Sequence, residues 1–397
     1  MRTSGVALVC GRLEPGHDGV GDYTRTLAEA CAQAGVRVAL IGLNDSNVKG
    51  SAVRENCGFP VLRLPARANW ADNVPGAAAF VNEMGLSWAS FQFVPYSYGK
   101  RGLVSGLAEK LEPLTRGRNL QVMFHEIWIG ATEHASLKDR LVGWLQRGTI
   151  REFARRASPK VVHTSNSAYM KLLRSIGVDA VRLPLPGTIP LQRTDASAWL
   201  YGRLNGLGVE ITEKTRPEFA VFGFFGTLHP VWPAEPLVSQ LEEFAQRTGR
   251  KPIMLSFGKL GSGEALWDRL SSEKRRGGMR WCSLGLVSAL EASQLMNSVD
   301  FGVAASPLSL LEKSSAAVCL LEHGLPVIVN RNDACFSGID SEAGISSQII
   351  PNWRTGFVER LQSARRQPVL LRVPAVRDQF LRDLGLEASR TAGLPHS

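Results

Sequence analysis

Short, unbroken apolar runs alternate along this chain with longer stretches in which apolar residues recur every three or four positions. Residues 6–10 form the first run, a polar glycine-bearing loop occupies 11–21, and helix-period residues fill 22–34. Residues 36–42 are apolar again. This completes a strand–loop–helix–strand unit, the building block of a parallel doubly wound sheet. Further strands are predicted at 86–94, 120–124 and 160–165, with helices between them. The sequence VRLPLPGTIPLQ at 181–192 breaks the rhythm with three prolines and no period, and reads as a hinge between domains. A second series comes after it, with strands at 219–225, 252–257, 279–284, 300–305 and 326–330. Helical patterns alternate with them at 234–247, 263–275, 287–299 and 314–323, and 373–384 reads as a closing helix. Unbroken apolar strands imply sheets covered on both faces. The pattern therefore predicts two doubly wound α/β domains facing across a cleft, with ligand sites at the carboxyl ends of the strands.

Length and composition agree with two cores. At 397 residues, with 44% hydrophobic and 21% charged residues, the chain suits two globular domains of about 150–200 residues each. There is no uncharged apolar run of about 18 residues, the length a membrane-crossing helix requires. The first ten residues turn at once into GRLEPGHDG, which reads as a first strand rather than a signal peptide. The six cysteines (Cys10, Cys31, Cys57, Cys282, Cys319, Cys335) are scattered, with neither a CxxC pair nor metal-ligand spacing. They read as reduced core residues of a cytoplasmic protein, and no metal site is expected.

Charge is uneven. Residues 1–190 hold 23 Lys and Arg against 15 Asp and Glu, so the first half carries +8 of the formal net charge of +10. A basic face attracts nucleic acid, an anionic membrane or an acidic substrate, and charge by itself does not choose. No nucleic-acid reading motif accompanies it, and no nucleic-acid partner is expected.

Three constellations carry candidate chemistry. In GRLEPGHDGVGDYT, 11–24, Gly19 and Gly21 flank Val20 at the mouth of a helix, where amides and the helix dipole suit an anion. The competing interpretation is a glycine-bearing turn with Asp22 near the N-cap. The full GxGxxG spacing is missing, and so is the acidic residue a nicotinamide-dependent dehydrogenase would need. In VMFHEIWIG, His125 and Glu126 come directly after an apolar strand, a position suited to ligand contact; a structural histidine is the alternative. Trp128 reads as packing.

The third is LLEKSSAAVCLLEHGLPVIVN, 310–330. A polar loop holding Glu312, Lys313, Ser314 and Ser315 meets a helix N-terminus, as a diphosphate would need, and Lys313 adds a charge. Glu322 lies toward the far end of the same helix, where a carboxylate can accept from two adjacent ribose hydroxyls. A solvated helix residue is the alternative.

This segment resembles the nucleotide-binding motif of the family-four type of GT-B glycosyltransferases (glycosyltransferase group 1). The family pattern is two glutamates eight apart before Ala/His-x-Gly-x-Pro-Val. Glu322 matches the second glutamate, and Gly324 to Val327 match the tail. The first glutamate is replaced by Ser314, and the nearest carboxylate is Glu312. GVGDYTRTLAEACAQAGVRVALIG, 19–42, is similar to the family's acceptor-domain start, and His125 is similar in place to its histidine near the transferred sugar. Ser165-Asn166 resembles the end of the first domain, and Phe225-Gly226-Thr227 the start of the second. The family's arginine after the glycine and its later lysine are missing from GTLHPVWP, 226–233, leaving Lys259 or Lys313 to compensate.

The resemblance implies two Rossmann-like domains in the GT-B architecture: an acceptor domain at 1–185, a donor domain at 186–370, and a closing helix and tail at 371–397. It implies a hexosyltransferase using a nucleotide-diphosphate sugar, retaining anomeric configuration, with no metal and no further cofactor. His125 and Glu312 become the candidate catalytic residues, and Asp22 and Glu126 the acceptor-side residues. Gly19, Gly21, Gly226, Thr227, Lys259, Lys313, Ser314, Ser315 and Glu322 become the donor-binding residues. The departures at Thr227 and Ser314 favour a competing non-catalytic protein that binds a nucleotide sugar or a partner. A nucleotide-sugar epimerase is a weaker rival.

One stretch suggests where an acceptor comes from. KDRLVGWLQRGTIREFARRASPK, 138–160, has seven basic and two acidic residues, with Leu141, Trp144, Leu145, Ile150 and Phe153 at broadly helical spacing. Such a helix can lie on an anionic membrane, implying a lipid-linked or membrane-proximal acceptor and a peripheral place at the inner membrane face, while the acceptor itself stays open between a saccharide and a lipid-linked one. A core-packed helix with a solvated basic face is the alternative.

Overall fold

A computed structural model describes residues 3–67, 69–192, 197–273, 278–340, 342 and 344–387. The chain divides into two compact units: Met1–Pro186 together with Arg372–Ser397, and Gly187–Leu371.

The first unit holds β1 (Thr3–Cys10), β2 (Val38–Asp45), β3 (Val53–Asn56), β4 (Pro60–Pro65), β5 (Leu86–Phe93), β6 (Asn119–Phe124), β7 (Val161–Thr164) and β8 (Val181–Arg182). Their order is β3-β4-β2-β1-β5-β6-β7-β8, parallel except for the β3–β4 pair. The second unit holds β9 (Phe219–Phe225), β10 (Lys251–Phe257), β11 (Arg280–Ser283), β12 (Phe301–Ala304), β13 (Val327–Val329) and β14 (Ile349–Pro351). Their order is β11-β10-β9-β12-β13-β14, parallel throughout. Both units are therefore doubly wound, as the unbroken apolar runs predict. The strand order reverses at β1 in one sheet and at β9 in the other, and ligands of such sheets bind beyond the carboxyl ends at that point.

Where the structure differs from the sequence pattern, the causes are local. Val181 and Arg182, at the start of the expected hinge, pair with β7, while the units divide at Pro186/Gly187, within that hinge. The β3–β4 hairpin leaves no mark in the pattern because β3 is largely exposed and carries no apolar alternation. Strand β14 and the helices Ser197–Gly206 and Phe357–Ser363 are likewise additions to the predicted elements. Of the helix expected at 263–275, Glu264–Ser272 forms, while Lys274 and Arg275 lie outside the described residues, as does the tail 388–397.

Two helices of the first unit bear on its chemistry. Val373–Leu384 packs against the first helix, Gly19–Gln33, and buries Val376, Phe380, Leu381 and Leu384 in the first unit. Leu137–Ala157 buries Ile150, Phe153 and Ala154, and the Phe153 ring stacks on Phe93 at 5.6 Å. On the opposite side of its first half, Leu137 (86% exposed), Leu141 (63%), Trp144 (67%) and Leu145 (44%) face outward. The single amphipathic stripe expected over 138–160 is thus two stripes, one packed and one bare.

Candidate functional site

In the first unit, the loop after β1 turns into the Gly19–Gln33 helix. Asp18, not Asp22, is its N-cap: Asp18 Oδ1 accepts from the amides of Val20 at 2.8 Å and Gly21 at 3.1 Å. A ligand anion at Gly19 and Gly21 would have to compete with this carboxylate, which modifies the open anion cradle expected there. Gly21 is required sterically, since a Cβ would lie 2.5 Å from the Arg12 carbonyl oxygen. Asp22 sits in the first turn and accepts from the Gly16 amide at 3.0 Å; burial raises its pKa above the usual carboxylate value.

His125 comes just after β6 and is buried, with its amide donating to the Phe93 carbonyl at 3.1 Å and its Nε2 2.8 Å from Gln92 Oε1. The Tyr23 ring meets it edge-on at 4.8 Å, so the first helix and His125 are brought together. Glu126 is half-buried beside it. Trp128 is half-buried with the Arg147 guanidinium over its ring at 5.9 Å. Asn166 caps the Ser167–Arg174 helix by accepting from Ala168 at 2.8 Å and Tyr169 at 3.1 Å.

In the second unit, the loops after β9 and β10 run side by side. The Gly226 amide donates to the Phe257 carbonyl and the Leu228 amide to the Leu260 carbonyl, both at 3.0 Å. Gly226 has φ +80°, and a Cβ there would come 3.6 Å from Ala316 Cβ in the first turn of the Ser315–Glu322 helix. A Cβ on Gly261 would approach Thr227 Cγ2 at 3.0 Å, which ties the Lys259 loop to Thr227. Gly226, Thr227, the Lys259 loop and the start of that helix thus gather at the carboxyl end of β9. Thr227 and Lys259 are exposed, while Glu312, Lys313, Ser314 and Ser315 are half-buried. Ser314 is the N-cap: its hydroxyl accepts from the Ala317 amide at 3.3 Å, and this cap leaves the amides of Ser315 and Ala316 untouched.

Glu322 stands apart from this cluster at the other end of the helix. It is 3% exposed, which removes the solvated-residue alternative, and Oε1 accepts from the Gly187 amide at 3.0 Å. His323 is structural: Nδ1 donates to the Cys319 carbonyl at 2.7 Å and Nε2 accepts from the Ser293 hydroxyl at 2.9 Å, with burial lowering its pKa.

Several residues with a place here are not among the candidates the sequence offers. Tyr23 Oη and Ser165 Oγ in the first unit, and Asn330 Oδ1 in the second, are buried without a hydrogen-bond partner among the described residues. Each lies at or just beyond a carboxyl strand end or its following helix, and orphaned buried polar atoms call for a ligand or water. Asp18 is legible as an N-cap aspartate before a helix. Gln92 is marked only by being a polar residue within an apolar strand. Among the described residues, no group of three or more His, Cys, Asp or Glu gathers as a metal site.

Two parallel-sheet α/β units, each with its candidate residues at carboxyl strand ends, define the class as a GT-B-type fold. Residues 18–186 match the family described as Glycosyl transferase 4-like domain. Sucrose-phosphate synthase from Thermosynechococcus elongatus is similar in structure, with a TM-score of 0.59 and 14% identity over 96% of this chain and 99% of that one. A glycosyltransferase from Rickettsia africae gives 0.57 and 10% over 98% and 94%, and Anabaena HepE in complex with UDP and glucose gives 0.54 and 13% over 96% and 99%. At these identities the likeness is one of fold. No curated protein matches the chain in sequence. The first unit thus matches a Glycosyl transferase 4-like domain over 18–186, and the chain as a whole shares the GT-B fold of these structures.

Proposed function

We propose that the protein transfers a hexosyl group from a nucleotide-diphosphate sugar to an acceptor hydroxyl, with retention of configuration. The observation that carries this is the gathering of Gly226, Thr227, the Lys259 loop and the Ser315–Glu322 helix start at the carboxyl end of β9. The Ser315 and Ala316 amides, the helix dipole, Lys259 and Lys313 take the donor diphosphate, and Glu322 takes the ribose. In the transfer, the bond from the anomeric carbon to the phosphate oxygen breaks and a bond to the acceptor oxygen forms. The hydroxyl proton leaves with the departing diphosphate or solvent. Preorganised amides and lysines stabilise the charge that develops on the leaving group, a role that needs no divalent metal. His125 serves the transfer step, with Asp22 and Glu126 on the acceptor side and Glu312 near the leaving group. The bound glucose and UDP of HepE make UDP-glucose the first donor to test.

The non-catalytic alternative keeps one specific support: Ser314, where the family has a glutamate, serves as a helix cap. Nucleotide release from UDP-, GDP- and ADP-sugars, with and without acceptor extract and in the presence of a chelator, separates the two. Release from none of them, with retained binding, favours the non-catalytic protein.

The bare stripe of Leu137, Leu141, Trp144 and Leu145 is flanked by exposed Lys138, Arg140, Arg147, Arg151 and Arg155. Apolar side chains rimmed by cations match an anionic lipid surface, so a peripheral position at the cytoplasmic membrane face and a lipid-linked acceptor form part of this proposal.

A further inference from the structure

Six side chains of the first unit form one continuous hydrogen-bonded chain. His125 Nε2 is 2.8 Å from Gln92 Oε1, Gln92 Nε2 is 2.8 Å from Ser90 Oγ, and Ser90 Oγ is 2.5 Å from Gln121 Oε1. Gln121 Nε2 then lies 3.2 Å from His163 Nδ1, and His163 Nε2 2.9 Å from Asp383 Oδ2. Strand register explains the line. Ser90 is paired with Gln121 across β5–β6, and His163 with Met123 across β6–β7. Residues two apart on a strand share a face, so Ser90, Gln92, Gln121 and His163 all lie on one face of the sheet. The Val373–Leu384 helix covers that face through Phe380 against His163, and supplies Asp383.

All four strand residues are 0–1% exposed. Polar groups buried in the middle of an apolar sheet are destabilising unless paired, and here each finds a partner.

The chemistry of the groups gives the chain a direction. A carboxylate only accepts, so His163 Nε2 carries a hydrogen toward Asp383. Burial lowers the pKa of His163 and keeps the ring neutral, so Nδ1 accepts from the Gln121 amide. Gln121 Oε1 must then accept from the Ser90 hydroxyl, Ser90 Oγ from the Gln92 amide, and Gln92 Oε1 from a hydrogen on His125 Nε2. Every donor points the same way.

We infer that Asp383, acting through His163, Gln121, Ser90 and Gln92, is a positioning residue that fixes His125 as its Nε2–H tautomer and makes Nδ1 the basic nitrogen. The tautomer follows from the direction of the chain; its effect on rate rests on the proposed role of His125 in transfer.

Each intermediate group can also run in reverse, because amides, the hydroxyl and the imidazole both donate and accept. Asp383→Lys places a group that only donates at the end, which should reverse all five bonds and turn His125 into the Nδ1–H tautomer. Asp383→Asn retains an accepting oxygen and should keep the original direction.

The test is nitrogen NMR of the full-length protein labelled with 15N-histidine, the seven histidines being assigned with His125→Gln and His163→Gln. In the wild type and Asp383→Asn, both His125 and His163 are expected as Nε2–H, and in Asp383→Lys both as Nδ1–H. Transfer rate should follow the remaining Nε2–H population, falling about tenfold or more in Asp383→Lys. A wild-type His125 found as Nδ1–H overturns the inference even if the lysine variant does not fold. A folded Asp383→Lys with His125 unchanged overturns it too. A reversed tautomer with unchanged transfer supports the chain and instead removes His125 from the reaction.

Discussion

Glu322 accepts the amide hydrogen of Gly187 at 3.0 Å, although 135 residues separate the two. The segment entering the second unit is thereby fixed on the carboxylate assigned to the ribose. A Cβ at position 187 would lie 2.3 Å from Oε2, so only glycine fits without displacing Glu322. Gly187→Ala should destabilise the protein by about 1–3 kcal/mol through this overlap. Urea melts would show it as a lower midpoint at unchanged slope. An unaltered midpoint would contradict the packing described.

His125→Ala should lower the transfer rate at saturating donor about a hundredfold, the ordinary range for losing a side chain that handles a proton. The variant should still fold, with its melting temperature lowered by the cost, about 1–3 kcal/mol, of leaving the buried Gln92 Oε1 unpaired. If the variant unfolds instead, His125 is a core residue and its chemical role fails.

The alternation of apolar runs with helical stretches makes the two parallel sheets readable, because strands covered on both faces have little choice of composition. The same logic hides β3, whose residues are largely exposed, and β8, whose Val181 and Arg182 sit among prolines. Glu322 is readable as a polar residue at the end of an apolar helix. Its bond to Gly187 is not, since no local pattern specifies a contact across 135 residues. Ser90, Gln92, Gln121 and His163 are visible singly as polar residues within apolar strands. Their alignment needs the register of β5, β6 and β7. The sequence pattern puts Asp22 near the cap position that Asp18 holds, an error of about one helical turn at a boundary where such errors concentrate.

Burial lowers the pKa of both His163 and His323 from the ordinary 6.5. The unfolded chain therefore binds protons that the folded chain refuses once pH drops below 6.5. Stability should be fully kept above that value and decline as pH falls toward the folded values. Urea midpoints at pH 7.5 and 5.5 should differ in that direction, and His323→Gln should reduce the difference. A midpoint that rises on acidification would contradict the assignment.

Sedimentation with liposomes of rising phosphatidylserine content tests the bare stripe of the Leu137–Ala157 helix. Binding should grow with anionic lipid and fall about fivefold for each cation lost near the surface, so Arg151→Glu should weaken it strongly. Trp144→Ser should weaken it without altering the salt dependence. Arg156→Glu should matter less to lipid, because Arg156 is already paired with Glu109 and Glu152. Indifference to both Arg151→Glu and Trp144→Ser would leave the stripe as ordinary exposed surface.

Titration calorimetry of UDP-glucose, with GDP- and ADP-glucose alongside, decides whether the second unit holds a nucleotide sugar. One of these donors should bind the wild type. Glu322→Gln, which keeps an oxygen to accept from Gly187, should lose at least about tenfold in affinity, the value of one charge-assisted hydrogen bond. A thermal shift should accompany binding, since a ligand at 100 times its dissociation constant stabilises by about 2.7 kcal/mol. No binding by any of the three, or equal affinity in Glu322→Gln, would contradict a nucleotide-sugar site on the second unit.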